Sequence, residues 1–227
     1  MEKPRDVYLE GCAFIAEVLA SDGFRYASSK QQARRSRNGF DHLISFQSSH
    51  SNIADHSVAF WIHANLRSKG LREWRAQQPR ALRTDDFCAG GQIGNLRDKA
   101  TWMAWNLADP PTRRSTLADA VATIEHIALP FFSLFDDVAT LADCLVTRTL
   151  PGFEPEITIE FLLCFATREH AATYLARFFV RRFDLIEDYL ASLAQMRRDG
   201  LPPYRPNGFA SVLAAATLAY ELPPAAQ

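Results

Sequence analysis

Two stretches of the chain alternate apolar and polar residues, with helical periodicity before and after them. In Phe40–Ser48, the side chains of Phe40, His42, Ile44 and Phe46 fall on one face of an extended strand. In Val58–Leu66, those of Val58, Phe60, Ile62, Ala64 and Leu66 do the same. A two-residue period marks half-buried strands. Phe24–Ser28 predicts a strand ahead of them. Gln31–Gly39 reads as a polar turn holding Arg34, Arg35 and Arg37, and Asn38-Gly39 has hairpin-turn chemistry. Thr101–Leu107 alternates Trp102, Ala104 and Asn106 against Met103, Trp105 and Leu107 and predicts a further strand.

Elsewhere the period is helical. Val7, Gly11, Phe14, Ile15, Val18 and Leu19 predict an amphipathic helix over residues 6–20. Leu71–Gln78 reads as a short helix anchored by Trp74, and Arg80–Asn95, with Gly90-Gly91, as a surface loop. Beyond Asp109-Pro110-Pro111, residues Leu117, Val121, Ile124 and Ala128 share a face up to Pro130, which ends or kinks that helix. Asp136 or Asp137 can cap the next helix. Residues 156–165 fit a strand or a helix. Thr167 opens a helix bearing Ala171, Tyr174, Leu175, Phe178 and Phe179. Asp184 with Glu187 makes a variant capping box, and Asn207 caps a last helix. The pattern therefore predicts an α+β protein with an N-terminal antiparallel sheet of about four strands flanked by a helix, and a helical C-terminal half. Residues 1–109 form the sheet region and 110–227 the helical region packed on it, as one compact unit.

Composition narrows the function. The 227 residues carry a net charge of −1, which argues against a dedicated nucleic-acid binder. Residues 1–100 hold 15 Lys and Arg against 11 Asp and Glu, and the remainder 10 against 15, so opposite potentials can arise on the two parts. Cys12, Cys88, Cys144 and Cys164 are widely spaced and read as free thiols of a cytoplasmic protein. Glu10 and Glu17 interrupt the first apolar stretch, so it is no secretory signal, and stretches such as Phe209–Tyr220 are too short to span a bilayer.

No catalytic constellation stands out. His42, His50, His56 and His63 lie close in sequence, but their spacing matches no metal site, and no cofactor is implied. Asp85-Asp86 and Asp136-Asp137 are doublets whose side chains diverge on regular elements. Gly90-Gly91-Gln92-Ile93-Gly94 lacks the Lys-Ser/Thr of a phosphate loop.

The words Asp22-Gly23-Phe24, Leu43–Asn52 (LISFQSSHSN) and Phe60–Leu66 (FWIHANL) resemble a bacterial family catalogued as a domain of unknown function, DUF4304. Ser45 stands where that family has Asn, and Ser48 where it has Lys. Ala128-Leu129-Pro130-Phe131-Phe132 and the segment Ala166–Leu175 are also similar, so the resemblance covers roughly residues 6–180. Its members are similar to proteins encoded near contact-dependent toxin genes, many of which act as immunity proteins. The resemblance thus implies a non-enzymatic, cytoplasmic inhibitor that occludes the active site of a cognate toxin, such as a nuclease. Exposure and charge select Arg34, Arg35, Arg37, His50, Asp55, Asp85, Asp86, Asp136 and Asp137 as candidate partner-binding residues. No membrane and no direct nucleic-acid contact is expected. The alternatives are a hydrolase-type enzyme using His and acidic residues of the loop at residues 48–56 with Asp85-Asp86, or a nucleic-acid-associated regulator using the three arginines.

Overall fold

The alternating stretches become the two central strands of an antiparallel sheet, and the helical stretches become helices, so the protein is α+β. A computed structural model describes residues 2–225. The chain divides into two compact units, one of residues 1–67 and 89–136, the other of residues 68–88 and 137–227. Residues 110–136, assigned by sequence to the helical region, therefore belong with the sheet.

In the first unit, α1 (Pro4–Leu19) leads into a meander of β1 (Arg25–Ala27), β2 (Gln32–Arg37), β3 (Phe40–Ser48) and β4 (Ala59–Arg67). β5 (Phe87–Gln92) follows β4 in the strand order, and the two-residue β6 (Trp105–Asn106) pairs with Ala59 and Phe60. β2 corrects the expected polar turn. Its apolar content is one residue, the buried Ala33, so periodicity could not reveal it. The turn is confined to Asn38-Gly39, both at positive φ (52° and 82°), as a two-residue hairpin needs.

β5 corrects the expected loop at Arg80–Asn95. There a Cβ on Gly90 would stand 2.3 Å from the Ala64 carbonyl oxygen, so glycine is what lets the edge strand approach β4. Between Thr101 and Leu107 only Trp105 and Asn106 are paired, but Trp105 and Leu107 do point inward.

The inner face of the sheet is the core of this unit. Phe40, Ile44, Phe46, Phe60, Ile62, Ala64 and Leu66 are buried. The Tyr8 hydroxyl of α1 donates to the Phe46 carbonyl (2.7 Å), tying the helix to β3. α3 (Pro110–Thr123) continues through a π-turn at Ile124–Ala128 into α4 (Leu129–Ser133). The wide turn precedes Pro130 and accommodates its ring, so the chain stays helical where the sequence predicts a stop or kink. The run Pro110–Asp136 is thereby long and apolar enough, by length and composition, to cross a membrane, which no single apolar stretch of sequence suggested. Its Leu117, Ala120, Ile124, Ala128, Phe132 and Phe135 are buried, as in a core helix.

The second unit holds α2 (Lys69–Gln77), α5 (Val138–Thr147), α6 (Pro155–Phe165), α7 (Arg168–Arg181), α8 (Ile186–Asp199) and α9 (Phe209–Ala219). The ambiguous segment is α6, whose residues Pro155–Leu162 are all buried. α2, α5, α7 and α9 pack around it. Asp137 caps α5 by accepting from the Thr140 amide (3.0 Å), and Thr167 caps α7. Two expected caps do not form. Asp184 is drawn into an ion pair with Arg182 (2.7 Å), and Gly208, not Asn207, precedes α9.

Candidate functional site

Strand period and register set the outer face of the sheet. Residues opposite one another on paired strands share a face. One row crosses the sheet as Arg25, Arg34, Leu43 and Asn65, the next as Ala27, Gln32, Ser45 and His63, and a third joins Gln47 to Trp61. Apart from the buried Leu43, these side chains are half-buried or exposed. Trp102 meets Trp61 edge-on with ring centroids 5.8 Å apart and is itself 58% exposed. His63 shares a hydrogen bond with Gln47 (2.9 Å). The face is therefore polar, with a tryptophan pair toward one end and arginines toward the other.

The three arginines of the sequence analysis lie along the body of β2, and their roles differ. Arg34 donates to Asp41 on the outer face (2.6 Å). Arg37 pairs with Asp136 (2.8 Å), which Asn38 also approaches. Arg35 turns inward. Its guanidinium lies 4.7 Å over the Phe24 ring, Nη1 donates to the Asp22 carbonyl (2.9 Å), and Nε donates to His42 Nδ1 (3.1 Å).

His42 is almost wholly buried and stacks on Phe132 at 4.6 Å. Burial, with Arg35 beside it, pushes its pKa down to about 4, so the ring is neutral and accepts the Arg35 bond. His42 and His63 stand on opposite faces of the sheet, which separates the histidines that sequence brings close. Among the described residues no group of His, Cys, Asp or Glu is arranged to hold a metal ion.

A family model described as Domain of unknown function (DUF4304) matches residues 15–134, more than half of the chain. The chain belongs to this family. No curated protein and no solved structure matches it. The DUF4304 span contains β1–β6, α3 and α4, and with them the whole outer face of the sheet. His50 and Asp55 lie in its β3–β4 connection. There Asp55 takes a left-handed conformation (φ 57°), and His50 borders a cleft of about 590 Å³ with Arg5, Tyr8 and Ser49. No bond draws His50 and Asp55 to the arginines, so the candidate residues do not form one patch.

Asp85 and Asp86 lie within the DUF4304 span but belong to the second unit, with Asp137. Asp85 accepts from Arg83 (2.6 Å), Arg75 (3.1 Å) and the Phe87 amide (3.1 Å). Burial works against its charge, yet Arg83 and these donors hold its pKa below the usual carboxylate value. The Asp86 carbonyl accepts from the Ser68 amide (2.8 Å).

Arg75 opens a charge network that sequence reasoning missed. It is fully buried and bonds Glu160, also fully buried, through Nε (2.8 Å), while Nη2 makes a 2.5 Å ion pair off the hydrogen-bond direction. Tyr220 donates to the other Glu160 oxygen (2.5 Å). One turn earlier, buried Glu156 is held by Arg205 through Oε1, and its Oε2 has no hydrogen-bond partner among the described residues. Burial and then the adjacent Glu156 raise the Glu154 pKa. Such buried charges survive only when paired.

One further set has a catalytic outline. Thr167 Oγ1 meets His170 Nδ1 (2.7 Å), and His170 Nε2 meets Asp143 (3.1 Å). Thr167 Oγ1 also accepts the His170 amide as the α7 cap, and the Asp143 side chain is 76% exposed, so capping accounts for the arrangement.

Proposed function

We propose that this DUF4304 protein is a cytoplasmic immunity protein that binds a cognate bacterial toxin acting in the same compartment and blocks its active site by occlusion. The observation that carries the reading is the outer sheet face. It sets Trp61, His63, Gln47, Asn65 and Arg34 side by side on paired strands, with Trp102 packed edge-on against Trp61. Tryptophan and arginine are the residues that dominate protein–protein hot spots, and tryptophan loses little conformational entropy on docking. A sheet also holds such a face in place before binding, which lowers the ordering cost of association. Occlusion asks nothing more of the inhibitor than a rigid, complementary surface, so no catalytic group is required.

The test is a pull-down of the purified chain with the product of the adjacent toxin gene, paired with growth rescue in cells expressing that toxin. Binding with rescue supports the proposal. Absence of both sinks it.

A further inference from the structure

We infer that the basic end of the outer sheet face is a docking groove for an extended, acidic protein segment, seated beside the free half of β2. The inference rests on the reading of the chain as a protein binder and names the chemistry of what it binds at this end.

Strand length makes the groove. β1 is three residues long, and its first residue, Arg25, pairs with Arg34. β2 runs on through Arg35, Ser36 and Arg37 with β3 on one side only. The Arg37–Phe40 pair flanks the two-residue turn and so exchanges both of its backbone bonds. Alternation then turns the N–H and C=O of Ser36 away from β3, toward the side where β1 has ended. The residue that would continue β1 there is Gly23, and a Cβ added to it meets nothing within 4 Å. A cleft of about 550 Å³ occupies this place, lined by Gly23, Arg25, Tyr26, Arg34, Arg35 and Ser36.

Charge selects the occupant. Arg34 is neutralised by Asp41, and Arg35 is bonded only to the neutral Asp22 carbonyl and His42 ring. The Arg25 side chain is exposed, with no ion-pair or hydrogen-bond partner among the described residues. No carboxylate lines the cleft. An exposed strand edge recognises a partner by main-chain pairing. With Arg25 and Arg35 at its wall, the edge selects a segment carrying Asp or Glu. A nucleic-acid strand matches the charge, and its phosphates can accept from the Ser36 amide, but it lacks the regular alternation of N–H and C=O by which a peptide continues a strand edge.

The experiment is fluorescence anisotropy of the full chain with a short labelled peptide of alternating Glu and Val. A Lys/Val peptide of equal length and labelled oligo-dT serve as comparisons. The Glu/Val peptide is expected to bind and the Lys/Val peptide not to. Arg25→Glu is expected to weaken binding by roughly tenfold or more, and amide exchange at Ser36 is expected to slow in the complex. Absence of peptide binding, unchanged binding by Arg25→Glu, or tighter binding of oligo-dT overturns the inference. Toxin capture and growth rescue by the unaltered chain are read separately, so the groove can fail while the immunity reading stands.

Discussion

Arg75 and Glu160 approach to 2.5 Å with neither side chain exposed to solvent, and they lie 85 residues apart in sequence. Removing one partner leaves the other charge buried without compensation, which costs about 3–5 kcal/mol. Arg75→Met is therefore expected to lower the urea midpoint sharply. Burial already pushes the Glu160 pKa up despite the Arg75 charge, so losing Arg75 is expected to raise it further. Arg75→Met combined with Glu160→Leu is expected to recover much of the loss. Urea unfolding of the three proteins checks this, and a double variant no better than the single one refutes it.

How much of this was legible in the sequence follows from what periodicity can record. β3 was readable end to end because Phe40, Ile44 and Phe46 keep a two-residue period along its inner face, which His42 interrupts without breaking. β2 was not, because a strand whose one buried apolar side chain is Ala33 carries no period. β5 looked like a loop because Gly90 and Gly91 serve backbone approach, not side-chain packing. α6 was ambiguous because a helix buried on every side has no polar face to set a phase. The partners of Glu160 were hidden for another reason: Arg75 and Tyr220 lie 85 and 60 residues away in sequence, and only the packing of α2 and α9 on α6 brings them together. On the candidate site, charge alone picked out Arg34, Arg35 and Arg37, but only strand register shows that they face different ways.

Gly90 offers a test of β5. Alanine there places a methyl group 2.3 Å from the Ala64 carbonyl and 2.7 Å from Asn65, at a φ of 135°. Backbone cannot yield as a flexible side chain does, so Gly90→Ala is expected to destabilise by more than about 2 kcal/mol. Gly91→Ala meets nothing within 4 Å and carries the conformational cost alone. Thermal unfolding should rank Gly90→Ala clearly below Gly91→Ala. Equal losses would mean that β5 does not approach β4 as described.

The tryptophan pair bears on the proposed function. Trp102 is largely exposed, so Trp102→Ala is expected to leave the melting temperature within a few degrees of the parent. Toxin affinity is expected to fall by about 2 kcal/mol or more if the outer face is the interface. Calorimetric titration of the toxin into the variant measures it. Unchanged affinity would move the interface away from this end of the face.

His42 predicts a pH dependence of stability with a defined sign. In the native protein its pKa is pushed down to about 4 by burial and by Arg35, while in the unfolded chain it titrates near 6.5. Below about pH 6.5 the unfolded state therefore binds a proton that the native state refuses. Stability from this residue is complete above that pH and is lost progressively as pH falls toward 4. The full difference amounts to about 3 kcal/mol. His42→Phe retains an aromatic partner for Phe132 at 4.6 Å but removes the titrating ring. It also leaves Arg35 Nε without its acceptor, so the variant is expected to be less stable at pH 7.5. The gap between the two proteins should narrow steadily between pH 6.5 and 4 as the parent loses what the variant never had. Urea unfolding across that range reads the gap directly, and a gap independent of pH would mean that His42 titrates alike in the folded and unfolded protein.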